Sequence, residues 1–166
     1  MSLTIRNASP ADLEFLAHGN EAMALETEHK SLDPQVVRRG VAAALADPAH
    51  GRYFVAVDAD DLPVGQLMVT YEWSDWRNGA FWWIQSVYVD PAWRRQSVFR
   101  RMHETVMATA KTSPNVCGVR LYVEGSNSAA QAVYRKVGLT PSSYAIFETD
   151  FVLARSKGLE DRPNEA

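Results

Sequence analysis

One cysteine, Cys117, is all the thiol chemistry this 166-residue chain has. No disulfide can close within it, which suits a reducing, cytoplasmic compartment, and a small buried Cys is the expected role. Long apolar runs are also missing. No stretch approaches the eighteen residues of a membrane span, and the opening MSLTIRNASPADLEF has no core for a signal peptide. The chain is therefore expected to have no membrane partner. Positive charge is in slight deficit, 17 Lys and Arg against 20 Asp and Glu. A net charge of −3 argues against nucleic acid, whose backbone calls for a basic face. The four histidines, His18, His29, His50 and His103, stand apart without metal-ligand spacing, so no metal is expected. Repeats, heptads and low-complexity tracts are absent.

What is present is a sequence of alternating and helical patterns. Leu3 to Arg6 reads as a strand, and Ser9-Pro10 opens a helix whose face continues through Leu13, Leu16 and Ala17. Asp33-Pro34 begins a second helix, with Val37, Val41, Ala44 and Leu45 as its stripe. Tyr53 to Val57 and Val64 to Trp73 read as strands separated by DADDLP, and Asn78-Gly79 predicts a hairpin into a strand from Ala80 to Val89. A helix follows from near Gln96, then a strand from Val119 to Glu124. Asn127 caps and Gly138 closes another helix, with Val133 and Val137 expected to face the core. Tyr144 to Phe151 is the expected last strand. The order β-α-α-β-β-β-α-β-α-β predicts a mixed α+β fold. One domain is expected over 1–154, with 155–166 as a flexible tail.

The densest positive charge, Arg94, Arg95, Arg100 and Arg101 in VYVDPAWRRQSVFRRM, lies where a strand gives way to a helix. A helix N-terminus offers unpaired N–H groups and a positive dipole end, so strand, basic loop and helix together predict a phosphate site.

That stretch resembles the acetyl-CoA-binding motif of the GCN5-related N-acetyltransferases, Arg/Gln-x-x-Gly-x-Gly/Ala, with Arg94, Ser97 and Phe99 at its three positions. Ser97 and Phe99 depart from the glycines. A second motif, NSAAQAVYRKVGL, is similar to Asn-x-x-Ala-x-x-x-Tyr-x-x-x-Gly-Phe/Leu through Asn127, Ala130, Tyr134, Gly138 and Leu139. The resemblance implies a central, mostly antiparallel mixed sheet, with helices on both faces and a splay between the strands ending at Val89 and Glu124. It implies that acetyl-CoA enters this splay. The pantetheine arm would pair with backbone groups of Val87 and Val89, and the pyrophosphate would lie on the loop Arg94, Arg95, Gln96, Ser97, Val98 and Phe99. Asn127 would contact the arm, and Tyr134 would be the proton donor to the departing thiolate. A phenol suits that task, since its ordinary pKa lies within about two units of a thiol's. Phe99 is expected to turn into the helix–sheet core.

No carboxylate lies on WWIQSVYV, which offers Gln85 and Ser86 instead. Glu72, Asp75 and Glu124 are the carboxylates left to act as base through water, and Glu72 is taken as the catalytic one. Glu26, Glu28, Asp75 and Gln85 are assigned to the acceptor side, where acids beside aromatics favour a cationic amine. The expected activity is direct acetyl transfer to a small primary amine, with a homodimer as the candidate assembly. An acyl-CoA-binding module without turnover is the alternative.

Overall fold

The computed structural model describes residues 3–152. Five strands form one sheet in the order of the sequence: β1 (Thr4–Asn7), β2 (Arg52–Val57), β3 (Pro63–Ser74), β4 (Gly79–Val89) and β5 (Val116–Leu121). The first three junctions are antiparallel and the last, β4 with β5, is parallel. Helices α1 (Leu13–Glu28), α2 (Pro34–Ala46), α3 (Val98–Thr112) and α4 (Ser128–Lys136) complete the fold. This is the mixed architecture expected, with helices on both faces.

Local chemistry sets the helix starts. Asp12 accepts the Ser9 N–H at 2.7 Å and two bonds from the Arg6 guanidinium at 2.8 and 3.0 Å, which ties β1 to the entry of α1. Burial acts to raise the Asp12 pKa, but the bonds from Arg6 and Ser9 outweigh it and hold the carboxyl below its ordinary range. Asp33 caps α2 through the N–H groups of Gln35 and Val36, with Pro34 at the first position.

The apolar residues of β2 divide between two cores, as a strand covered on both faces requires. Phe54 and Ala56 meet Val98, Met102, Val106 and Ala110 of α3. Tyr53, Val55 and Val57 meet Leu16 and Ala17 of α1 and Val41 and Ala44 of α2. Helix α1 lies close on the sheet at Gly19, where a Cβ would stand 2.5 Å from Gln66 Oε1. The fully buried Gln66 reaches up from β3, and its amide donates to Leu16 O at 3.2 Å and Asn20 Oδ1 at 2.8 Å.

Beyond Ile84, opposite Leu121, the β4–β5 ladder stops, while β4 runs on to Val89. The pairing of β3 with β4 slips just there, between Gln66↔Tyr88 and Met68↔Gln85, and Ser86 takes a positive φ of 51°. A bulge increases local twist, so β4 bends at the point where β5 leaves it.

Several expectations are corrected. The fifth strand is Val116–Leu121, three residues earlier than predicted at both ends. The Ala80 N–H donates to Asn115 O at 2.6 Å, which starts the pairing early, and Glu124 accepts from Ser126 N at 2.7 Å, which turns the chain out of strand. Helix α3 begins at Val98 because Ser97 is left-handed, with φ 62°. The Tyr144–Phe151 strand does not form. A strand exists through its ladder; here Tyr144 N and Val152 N take the local side chains of Ser142 and Asp150, and Tyr144, Ile146, Phe147 and Phe151 stay exposed. The tail 155–166 lies outside the described residues.

His103 on α3 is 4% exposed, and its Nε2 has no partner. Burial pushes its pKa below the ordinary 6.5, so the folded chain takes up this proton less readily than the unfolded one. Its contribution to stability is complete above that ordinary value and is lost as pH falls below it. Urea midpoints measured at about pH 7.5 and about pH 5.5 should fall for the parent, and His103→Leu should remove up to about one proton's worth of that slope. Parallel pH dependences would show that His103 does not titrate on unfolding.

Candidate functional site

The parting of β4 and β5 opens a cleft of about 460 Å3 between the end of β4, the loop before α3 and the outer face of α4. Arg94, Arg95, Arg100 and Lys136 line it, and no acid does. Val89, Trp93, Val98, Phe99, Val133 and Val137 supply its apolar wall. Val133 is 42% exposed, so this face of α4 looks into the cleft rather than into the core as expected, because α4 sits beyond the sheet edge and buries no residue fully.

The loop before α3 is set by local hydrogen bonds and left-handed backbone. Asp90 accepts from Ala92 N at 2.8 Å and sets a short turn, Pro91–Trp93, after which Arg95 and Ser97 both adopt positive φ, 65° and 62°. Ser97 is the N-cap of α3, yet its side chain makes no capping bond, so the first-turn amides of a fifteen-residue helix are left for another acceptor. Two of the arginines already have partners: Arg100, on the cleft wall, pairs with Glu104 at 2.8 Å, and Arg101, outside it, donates to Leu3 O at 2.6 Å. Arg95 and Lys136 form no ion pair among the described residues.

Arg94 has the most contacts. Its Nε donates to Val89 O at 2.9 Å, its Nη2 donates to both oxygens of Glu26 at 2.8 and 3.1 Å, and its guanidinium lies 5.9 Å from the Tyr88 ring centre. The Val89 carbonyl expected to meet the arm is therefore occupied. Val87 and Val89 pack partly buried against the α3 core. Gln96 returns its amide to Ala92 O at 2.9 Å and braces the loop.

Phe99 does not enter the helix–sheet core; Val98 and Met102 take that place. Its ring meets Tyr134 edge-on at 5.4 Å and His103 at 5.9 Å, filling the gap between α3 and α4 that opens as β5 departs. Tyr134 is half-buried, and burial raises its phenol above the ordinary 10.0. The group stays protonated through neutral pH, the state a proton donor needs. Asn127 Oδ1 caps α4 through Ala130 N at 3.0 Å, and Leu139 N reaches back to Tyr134 O, past Gly138 at φ 90°.

On its other side Tyr134 borders a second cavity of about 600 Å3, with Trp83, Arg120, Tyr122 and Leu139. Glu72 stands behind it. Its carboxylate accepts from the Trp83 indole N–H and from Arg120 at 3.2 Å, so both oxygens are engaged. Gln85 donates to Thr70 Oγ1 at 2.6 Å. Asp75, in the β3–β4 turn, is exposed and accepts from Trp76 N at 2.9 Å. Seven residue steps along β4, roughly 23 Å, separate Gly79 from Ser86, so the structure does not bring Asp75 to the splay. Glu28 pairs with Lys30 at 2.5 Å. Glu124 is held below its ordinary pKa by the Ser126 hydroxyl and N–H. Sequence reasoning missed Lys136 and Arg120: a lysine in a last helical turn and an arginine on a strand read as ordinary surface charge, and only the folded chain sets each on a cavity wall. Among the described residues no three of His, Cys, Asp and Glu gather as a metal site, and no helix is long and apolar enough to cross a membrane.

Comparison with known proteins places this geometry. Residues 19–139 match the model of the acetyltransferase (GNAT) family. A structure described as a possible acetyltransferase of Clostridium difficile 630 is 41% identical, covers 92% of this chain and 99% of its own, and superposes with a TM-score of 0.84. More distant structures share the fold. A transcriptional regulator of Bacillus halodurans C-125 is 20% identical with a TM-score of 0.75, over 90% of this chain and 100% of its own. A predicted acetyltransferase of Clostridium acetobutylicum, solved with acetyl-CoA, is 15% identical with a TM-score of 0.72, over 89% and 96%. None of the curated proteins matches the sequence.

Left-handed backbone at Ser97 costs a side-chain-bearing residue about 1 kcal/mol or more, so Ser97→Gly should stabilise the chain by about 1 kcal/mol while keeping or tightening CoA binding. Ser97→Asp should weaken it by setting a negative charge on the anion loop. Chemical denaturation and calorimetry test both; equal CoA affinity in Ser97→Asp and the parent would refute the loop assignment.

Proposed function

Because the chain belongs to the GNAT acetyltransferase family, whose members use acetyl-CoA, we propose that it moves an acetyl group directly onto the primary amine of a small cationic metabolite, with residues 1–154 as one catalytic domain. The observation that carries the donor side is the cleft: four cations, no acid, and free helix-start amides at the end of an unpaired strand edge.

The donor brings the activated thioester; the protein supplies position and protons. Backbone groups of β4 beyond Ile84, free of β5, are the edge on which the pantetheine arm pairs, and the loop from Arg94 to Phe99 receives the pyrophosphate. The amine nitrogen then attacks the carbonyl carbon, the C–S bond breaks, and Tyr134 gives its proton to the departing sulfur. Its phenolate is reprotonated, through solvent, by the proton that the newly acylated nitrogen releases. The attacking amine must lose a proton first, and Glu72, with both oxygens engaged by Trp83 and Arg120, takes it through water. A cationic acceptor is favoured by Glu26 and Glu28 at the end of α1, with Gln85 and Asp75 as further polar groups on the assigned acceptor side. The free Cys117 suits the reducing cytoplasm we propose as its compartment, and a second copy of the chain is the proposed protein partner.

Acetyl-CoA should raise the melting temperature by mass action. An amine panel read by thiol release should favour polyamine-like or amino-sugar acceptors over neutral amines of equal size. Tyr134→Phe should slow the chemical step roughly ten-fold or more with little change in donor affinity. Binding without turnover on any amine would leave the acyl-CoA-binding module, and preference for neutral or acidic amines would refute the cationic acceptor.

A further inference from the structure

Arg94 is the one loop cation tied to the rest of the fold by an ion pair, and its partner is in an electrostatically poor place. Glu26 lies in the last turn of α1, which holds no basic residue and where the helix dipole disfavours a carboxylate. Glu28 adds a second acid two residues on. The dipole does not explain an acid here; its contact with Arg94 does. The same arginine closes the Val89 carbonyl with its Nε, so one side chain covers both an anion-binding charge and an acceptor on the β4 edge. Arg94 also lines the cleft, whereas Glu26 stands outside its wall, as does every acid among the described residues.

We propose that Glu26 is a built-in competitor for the donor's pyrophosphate: it neutralises Arg94 in the free protein, and the incoming pyrophosphate exchanges with it. This rests on the donor reading above. The Arg94 and Glu26 side chains are 41% and 44% exposed, so their attraction is screened by solvent and weak enough to exchange. A pyrophosphate held by helix-start amides and the neighbouring cations offers more negative charge than one carboxylate. When Arg94 turns to it, Val89 O is freed for the arm. The carboxylate of Glu26 is freed as well, at the end of α1 near Tyr88, where it adds to the field that attracts a cationic acceptor. Donor and acceptor thereby favour each other's binding without touching Arg94 together, a coupling that must be reciprocal.

Calorimetry on the full chain with CoA, 3′-dephospho-CoA and pantetheine tests the exchange, with circular dichroism as the check on folding. Glu26→Gln, and Glu26→Asp with its shorter reach, should tighten CoA and dephospho-CoA by about two- to five-fold, the range of a screened ion pair. Pantetheine, which has no pyrophosphate, should be unaffected, and the gain should vanish when Arg94 is already replaced by Gln. In turnover with a cationic acceptor, Glu26→Gln should raise the acceptor KM while donor affinity improves, opposite signs that a merely structural role would not produce. CoA binding that is unchanged or weaker in Glu26→Gln overturns the exchange alone, as does a gain that persists without Arg94 or extends to pantetheine. An absence of CoA binding by the parent overturns the donor reading and the exchange with it.

Discussion

The parting of β4 from β5 after Ile84 and Leu121 is the constraint to which the rest of the structure answers. A strand edge inside a fold carries backbone donors and acceptors that need partners, and β4 from Gln85 to Val89 has no strand partner on the side where β5 would lie, the Val89 carbonyl being taken by Arg94 instead. The bulge at Ser86 bends β4 away, and the turn held by Glu124 removes the chain from the sheet plane within a few residues of Leu121. Helix α4 then stands off the sheet rather than on it. Phe99 and Tyr134 fill the space between α3 and α4 with an edge-on ring pair that a closed sheet would leave no room for. The cleft is thus a consequence of strand geometry, with side chains refining it.

Charge is distributed to the same end. A chain with a net charge of −3 concentrates four cations around one cleft, and field lines from a concave site act on a polyanion more strongly than the same charges spread over a convex surface. The arginines near the loop divide their work. Arg101 is spent on Leu3 O and fixes the N-terminal strand to α3, and Arg100 is balanced by Glu104 along the helix. Arg95 carries no such obligation, while Arg94 is held by Glu26. Four similar residues in sequence are therefore four different objects in the fold, distinguished by what each side chain can reach.

Local signals carried most of the architecture. Asp33-Pro34, Asn78-Gly79 and the Asn127 to Gly138 stretch each encode a cap or turn whose chemistry acts within a few residues, and each stands where the sequence places it. Long-range effects were harder to read. The start of β5 depends on Asn115 accepting from Ala80, thirty-five residues earlier, and the side of α4 that faces the cleft depends on the sheet having parted. Phe99 looks like a core residue by type, yet Val98 is the one whose direction on α3 meets the sheet. Tyr144, Ile146 and Phe147 have strand-forming side chains without a ladder to join, which no periodicity reveals. The site was legible as two motifs; the ion pairs that engage Glu26 and Glu72 were not, because each pairing is set by how the end of α1 and the faces of β3 and β5 come to lie.

The two departures from the glycine pattern in the loop have unequal physical consequences. Ser97 keeps the backbone shape that glycine would give, since its φ of 62° is the left-handed value the turn requires; the chain bears strain there and retains the direction of the amides that follow. Phe99 changes what surrounds the loop. Its ring spans from α3 to the proposed proton donor, and by covering Tyr134 it helps exclude water from the phenol and hold its pKa up. A phenol raised in this way is a weaker acid toward water but remains wholly protonated at the moment a thiolate needs it. The pattern that looks degraded in sequence thus preserves the anion loop's geometry at the first position and couples the loop to the acid at the second. That contact makes the proposed donor loop and the proposed proton donor parts of one packed unit.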